Sequence, residues 1–589
     1  MSSSSKRTFN WGVLWRVIDQ VKPHRGRFIL TGVFVLVLAG LAPVRPYLIG
    51  RAMDVEMASG DLPGLLNIFA LVVGLLVIES IFQFYQTYLA NYVAQSVTLD
   101  LRSRLYDHVL GFRLRFFDQT PVGTFVTRLV SDIDGIARVF SQGLLNIVGD
   151  VLRLIVVIIV MLATNWKLSL IVLLPIPILL FATRVFQRVV KQAFVDVRNM
   201  VSKLNVFVQE HVTGMAVVQI FNREKNERAQ FEQLNRQHRK ANIRTIWAFS
   251  IFFPVVELLS AASVALLLWW GMGDVARGVT TGVGQLMQFT LYVFMLYRPI
   301  RQLADRFTVL QEGAVNAERV FKLFDRGERI DQHGERYPEK IQGNIAFENV
   351  WFAYNDEAAE GEHDWVIRDL TLQVKAGQTV AFVGATGAGK SSVINILSRF
   401  YEYQKGTVKV DDHSLRDLSL AAIRHHIAVV LQDVFLFSDS IHNNVTLGDP
   451  SITREQVIAA SKAVGAHDFI SKLPGGYDYD VKERGAQLSV GQRQLVAFIR
   501  AYVYNPSILV LDEATSSVDT ESELLIQGAI EKLTQGRTSI IIAHRLSTIQ
   551  EADNIIVLDK GRIREQGSHA ELLQQDGHYR KLFELQFQD

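Results

Sequence analysis

Apolar and polar positions divide the chain into two halves of different character. Six long apolar runs fall in the first 310 residues, near 28–50, 65–90, 144–163, 168–185, 247–272 and 286–310. Each is about as long as the ~20 helical residues a bilayer core requires, so each is expected to be a transmembrane helix. Short connections follow the first, third and fifth runs, at 51–64, 164–167 and 273–285. Much longer stretches separate the second from the third and the fourth from the fifth. Within them, 100–138 and 188–244 keep a helical apolar period and are rich in Lys and Arg. They read as transmembrane helices continuing well past the membrane, and their basic charge places them in the cytoplasm. Asp54, Glu56 and Asp61 in the first short connection suit the opposite side. An even number of spans then leaves both termini cytoplasmic.

After Leu310 the pattern changes. Residues 317–324 remain helical, 325–343 form a charged linker with Gly327, Gly334 and Pro338, and from Asn344 short β-rich runs alternate with helices. The acidic stretch 355–364 reads as a solvated hairpin loop. The expected organisation is an N-terminal segment over 1–27, a six-helix transmembrane domain over 28–324, a linker over 325–343 and an α/β domain over 344–589. Trp11, Leu14, Trp15 and Ile18 recur at helical spacing, as in a short amphipathic helix lying on the cytoplasmic membrane surface. The same segment lacks the pattern of a cleaved secretory signal.

At 589 residues the chain exceeds what one core supports, in keeping with this division. With 61 basic and 59 acidic residues there is no global field to attract nucleic acid, which is not an expected partner. The absence of cysteine removes disulfides, thiolate catalysis and thiolate metal sites together.

Chemistry enters in the second half. The apolar run 379–383 leads directly into Gly384, Ala385, Thr386, Gly387, Ala388, Gly389, Lys390 and Ser391, followed by a helical stretch that begins at Ser392. This is a complete phosphate-binding loop in strand, loop, helix context. Its glycines let backbone N–H groups face phosphates, and the helix N-terminus favours their negative charge. Lys390 supplies a point charge and Ser391 an oxygen for Mg²⁺. Further on, the apolar strand 507–511 ends in Asp512 and Glu513, beyond the carboxyl end of a strand, where ligands of open α/β sheets bind. Asp512 would hold Mg²⁺ through its water shell, and Glu513 would polarise the attacking water as general base.

Leu488, Ser489, Val490, Gly491 and Gln492, lying between the phosphate loop and Asp512, resemble the signature motif of ATP-binding cassette (ABC) proteins. The whole chain is similar to half-transporters of the bacterial lipid and multidrug exporter family. The resemblance implies an α + α/β architecture, a six-helix membrane domain followed by an ABC nucleotide-binding domain. By the same likeness, Tyr354 would stack on adenine, Gln432 would sense Mg²⁺ and touch the membrane domain, Ser516 to Asp519 would form a dimer contact, and His544 would reach the γ-phosphate. Ser489 and Gly491 would complete the ATP site of a second subunit, so a partner half-transporter is required. Short helices near 116–128 and 212–221, in the two long cytoplasmic stretches, would couple the membrane helices to nucleotide-binding domains.

Two residues depart from the family pattern. Val490 stands where glycine is usual in the signature, and Lys482 stands where Gly-Glu-Arg-Gly is commoner than Lys482-Glu483-Arg484-Gly485. Val490 adds a β-branched side chain to a crowded loop and would weaken the site that it completes. Because the chain's own set is intact, this favours a heterodimer over a homodimer. The cargo is expected to be an amphiphilic drug, lipid or peptide leaving a bacterial cytoplasm or inner leaflet. A homodimeric lipid flippase and an ATP-gated, channel-like protein are the alternatives. Glu79, Asp150, Arg153, Glu257 and Arg298 fall in or beside the spans, where charge is costly, and should face the bundle interior or a wet cavity, at least half of them pairing with one another and the rest open to cargo. Aromatic residues including Tyr85, Tyr88, Phe252, Phe253, Trp269, Trp270, Phe289, Tyr292 and Phe294 could line a pocket or serve packing and anchoring.

Overall fold

A computed structural model describes residues 11–276, 282–327, 330, 334–355, 364–512, 520–543 and 546–587. The chain divides into two compact units. The first joins Met1–Leu110 to Pro121–Gly327, and the second joins Gly111–Thr120 to Glu328–Asp589.

The first unit is helical throughout. Helix α1 (Trp11–Asp19) precedes α2 (Arg25–Leu41) and α3 (Val44–Arg51), which meet at Pro43, whose ring suits a helix start. Helix α4 (Leu62–Leu110) runs unbroken for 49 residues. After Gly111–Thr120, which carries α5 (Leu114–Gln119) and belongs to the second unit, the return path is built from α6 (Val122–Thr127), α7 (Ile133–Arg138) and α8 (Leu145–Thr164), with π-helical turns between them. Helices α9 (Trp166–Leu173) and α10 (Ile176–Thr213) follow, then α11 (Met215–Ile220), α12 (Glu224–Ala276) and α13 (Val283–Phe324). At 1.5 Å per residue the 53 residues of α12 extend about 80 Å, more than twice a hydrocarbon core of ~30 Å.

Among the described residues five stretches are long and apolar enough to cross a membrane, Lys22–Met57, Leu62–Leu110, Val122–Thr164, Trp166–Thr213 and Glu224–Asp274. The sixth expected span forms a 42-residue helix, α13, but is not one of the five. Gln285, Gln288 and Arg298 dilute its apolar character.

The core of this unit divides the aromatics between the roles open to them. Phe252, Phe289 and Tyr292 are buried within the chain's own helix packing, whereas Tyr85, Tyr88, Phe253, Trp269, Trp270 and Phe294 are exposed. Phe186 stacks on Phe252 with centroids 4.0 Å apart. The Tyr292 hydroxyl donates to Pro43 O at 3.0 Å, which satisfies a polar group that would be costly to bury alone. At the start of α13, the Asp54 carboxylate accepts from the N–H groups of Gly284 (2.6 Å) and Gln285 (2.8 Å) and so caps the helix. Gly284 is required there because a Cβ would sit 2.1 Å from Gly50 O. Helix α1 forms over the residues whose helical spacing predicts it. Leu14 and Val17 are its buried face while Trp15 is exposed, and Arg16 forms a two-point ion pair with Asp325 and lies over the Phe321 ring at 4.3 Å.

In the second unit, β1 (Ile345–Phe352), β2 (Ile367–Val374), β4 (Lys405–Val410) and β5 (His413–Ser414) form an antiparallel sheet of order β2-β1-β4-β5. A six-stranded sheet of order β10-β9-β3-β8-β7-β6 contains β3 (Thr379–Val383), β6 (Ile427–Val430), β7 (Ile508–Asp512), β8 (Thr538–Ile542), β9 (Asn554–Asp559) and β10 (Arg562–Gly567). Its pairings are parallel except for β9 with β10. Strands β8 and β3 are almost wholly buried, as strands covered on both faces must be. Around the sheets lie α14 (Lys390–Leu397), α15 (Leu420–His426), α16 (Ile441–Thr446), α17 (Arg454–Ala463), α18 (His467–Ser471), α19 (Val490–Val503), α20 (Thr520–Thr534), α21 (Leu546–Gln550), α22 (His569–Gln574) and α23 (His578–Phe587).

Candidate functional site

Parallel strands place their following loops at one edge of the sheet, and the candidate residues gather there. The loop 384–389 leaves β3 and ends at Gly389, whose φ of +106° caps α14. A side chain at Gly389 would meet Ile367 Cδ1 at 2.7 Å and one at Gly384 would meet Leu558 O at 2.3 Å, so glycine is dictated at both positions. Gly387, with φ +83°, instead has open space beside it, as a loop that admits a phosphate needs. Ala385 and Thr386 are exposed, while Ala388 is buried and its carbonyl accepts from Gly561 N–H at 3.0 Å. Lys390 is buried, and its ammonium donates to Gly384 O (2.6 Å) and Ala385 O (3.1 Å). Burial holds this lysine below its ordinary range, with the Asp512 carboxylate acting in the opposite direction.

Strand β7 ends one residue later than expected, so Asp512 is the last strand residue and shares the Lys390 environment. Ser391 is exposed on the first turn of α14, and Gln432 is exposed just after β6, the neighbour of β7. A hydroxyl, a carboxylate and an amide oxygen are the hard donors that Mg²⁺ prefers, and the glycine cradle with its lysine suits a polyphosphate, so the residues present fit both groups. Glu513, Ser516, Asp519 and His544 lie outside the described residues.

Tyr354 follows β1 and is 37% exposed, leaving a ring face for contact. Its hydroxyl bonds Ser392 Oγ at 2.9 Å and accepts from Asn395 Nδ2 at 3.2 Å, which ties the ring to the phosphate-loop helix. Tyr401 meets Tyr354 edge-on with centroids 4.9 Å apart, and its own hydroxyl donates to Asp118 on α5. Burial and that carboxylate push the Tyr401 phenol up. Neither Tyr401 nor Asp118 was found by sequence reasoning. The segment Gly111–Thr120, which clusters with this unit, is shorter than the 116–128 expected for a coupling helix, because Pro121 starts a new helix in the other unit.

Ser489 accepts from Gln492 N–H at 3.2 Å while Gln492 Oε1 accepts from Ser489 N–H at 3.0 Å, a reciprocal cap on α19. Gly491 is buried and Val490 is 43% exposed. Among the described residues no hydrogen bond or ion pair joins this cap to the phosphate loop. A sequence scan also passed over Leu431, Phe435 and Phe437, three large apolar side chains exposed in the loop around Gln432.

The second departure from the family pattern has a backbone cause. Lys482 adopts φ +60°, ψ −175°, a region that is essentially glycine's alone. Asp480 holds it there, accepting from Lys482 N–H (2.9 Å) and Nζ (2.7 Å), and the bond raises the lysine's affinity for its proton. Lys482→Gly should therefore relieve strain that outweighs an exposed ion pair and raise the unfolding midpoint. Thermal unfolding in detergent checks this, and an unchanged or lower midpoint contradicts it.

Residues 28–300 match the family model described as ABC transporter transmembrane region, and residues 367–516 match the one described as ABC transporter. The chain is 37% identical over 586 residues to the uncharacterized ABC transporter ATP-binding protein YknV of Bacillus subtilis, covering 99% of this chain and 96% of that one. It is 32% identical to the ATP-dependent lipid A-core flippase of Syntrophus aciditrophicus, covering 98% and 94%. A further Bacillus subtilis protein, named for multidrug export as an ATP-binding/permease protein, is 33% identical over 98% and 99%.

Proposed function

The chain belongs to the ABC transporter family as an ATP-hydrolysing exporter half-transporter, and from that premise we propose that it carries an amphiphilic cargo outward across a bacterial cytoplasmic membrane as half of a heterodimer. The observation that carries the ATPase reading is the loop 384–391 with buried Lys390, set beside Asp512 on a parallel sheet edge. It is an integral membrane protein, and six spans with α13 as the last would leave both termini in the cytoplasm. The proposed domains are 28–324 and 344–589, joined by 325–343.

Within the nucleotide-binding domain, Tyr354 would offer its ring face to adenine. Backbone N–H groups of 385–392 and the Lys390 ammonium would hold the phosphates. Ser391, Gln432 and Asp512 would hold Mg²⁺, which when bound neutralises charge on the phosphate oxygens. Glu513 would take the proton from the attacking water, and His544 would contact the γ-phosphate. Asp519 would sit at the seam with the partner.

Two features support a partner subunit. The Ser489 cap presents a helix N-terminus that no anionic side chain among the described residues bonds. On α11 and its flanks, Val212, Val217, Ile220 and Phe221 are 59–77% exposed, a patch that a second nucleotide-binding domain would cover. Closure of the two domains can redirect the membrane helices only by its difference in affinity between states, and reversing a 1:99 population takes about 5.5 kcal/mol.

Purifying the chain alone and measuring Mg-ATPase tests the heterodimer. Low turnover is expected, and robust turnover would overturn it. Val490→Gly should raise turnover at the site this signature completes, read in the assembled dimer as a several-fold increase. No change would remove Val490 as a cause of asymmetry. The likeness to a lipid A-core flippase supports a second reading, a homodimeric lipid flippase, for which the isolated chain would be fully active.

A further inference from the structure

Five helices of the membrane unit line a cavity of about 440 Å³, and four of them contribute ionic side chains to it. Arg45 comes from α3, Glu79 from α4, Asp150 and Arg153 from α8, and Arg298 and Arg306 from α13. Two pairs form between them, Arg45 with Glu79 at 3.7 Å and Arg306 with Asp150 at 3.2 Å. The four guanidinium groups exceed the two carboxylates, leaving Arg153 and Arg298 without an acid at bonding distance among the described residues. Arg153 Nε and Glu79 Oε1 are both buried and make no hydrogen bond among the described residues. A buried donor and a buried acceptor left open in one chamber cost free energy unless a ligand pairs both.

Beside the chamber, a groove on α4 shares Leu76 and Ser80 with it and continues along the exposed rings of Phe84 and Tyr85. A charged chamber opening onto an apolar groove suits a molecule with an ionic head and an apolar tail.

We propose that this chamber is the cargo's head-group site and that the cargo is a zwitterionic amphiphile, its acid on Arg153 and Arg298 and its ammonium on the open oxygen of Glu79. The assignment rests on the exporter reading for its role but not for its binding chemistry. A purely cationic head would meet surplus guanidinium charge. A purely anionic head would leave Glu79 Oε1 unpaired and add like charge beside it.

The test uses the full chain, purified as the dimer it forms and placed in nanodiscs. The probes are three single-chain amphiphiles of equal tail length, a lysophosphoethanolamine, a lysophosphatidic acid and an alkylammonium. Equilibrium binding is read without nucleotide, and ATP-driven movement is read in vesicles. The zwitterion should bind about tenfold more tightly than either other probe, the tenfold that one good polar pairing is worth. Glu79→Gln should erase its advantage over the anion, whose own affinity should rise as the like charge beside it is removed. Arg153→Gln should weaken both acids about tenfold, with Arg153→Lys restoring part of the loss and reporting that the chain still folds. Equal or tighter binding of the alkylammonium, or a zwitterion-to-anion ratio unmoved by Glu79→Gln, overturns the proposal. Selective binding without ATP-driven movement of any probe keeps the site and overturns the exporter reading instead.

Discussion

Glu513→Gln should leave the protein binding Mg-ATP with near-normal affinity while its steady-state turnover falls by about 10²–10⁴-fold. That is the range a positioned general base contributes. The carboxamide preserves shape and hydrogen bonding yet cannot accept the water's proton. If one of the two sites in the dimer is already impaired, the remaining activity vanishes with this single change. Equilibrium nucleotide binding and phosphate release on the same dimer separate the two effects. Normal turnover would mean that another group is the base.

Lys390→Ala should cost about 10²–10³-fold in kcat/KM, comparable to losing a donor aimed at developing charge. The ammonium is the buried positive group of the loop, 2.6 Å from Gly384 O and held in place by that carbonyl and Ala385 O. Its loss removes the charge and leaves those carbonyls without their donor, so KM should rise as well as kcat fall. Lys390→Arg is expected to be nearly as defective, because a planar fork does not fit a point-charge position enclosed by backbone. Nucleotide-dependent protection against proteolysis provides the binding readout. An alanine variant with wild-type KM would contradict the assignment.

The two predictions rest on different kinds of legibility. Lys390 and its loop could be read because strand, glycine spacing and helix are adjacent in the chain, and the structure adds only which glycines are sterically compelled. Tyr401 was not legible. Its significance comes from Tyr354 on one side and Asp118 on the other, and Asp118 is 283 positions away. Likewise Lys482 looked like a side-chain departure, but its cause is a backbone angle that no residue list displays. Phe252, Phe289 and Tyr292 were indistinguishable by type from Tyr85 and Trp269, although the first three are interior and the last two are exposed.

Local order along the chain determined the membrane half, the phosphate loop, the terminal carboxylate of β7 and the signature cap, because each depends on residues within a helical turn or a strand's length of one another. Tertiary structure alone decided which intramembrane charges face one another. Arg45 and Glu79 are neighbours only because α3 packs against α4, and Arg306 reaches Asp150 only because α13 packs against α8. Charges in a low-dielectric interior are governed by separations of a few ångströms, and chain distance says nothing about those separations until the helices are packed.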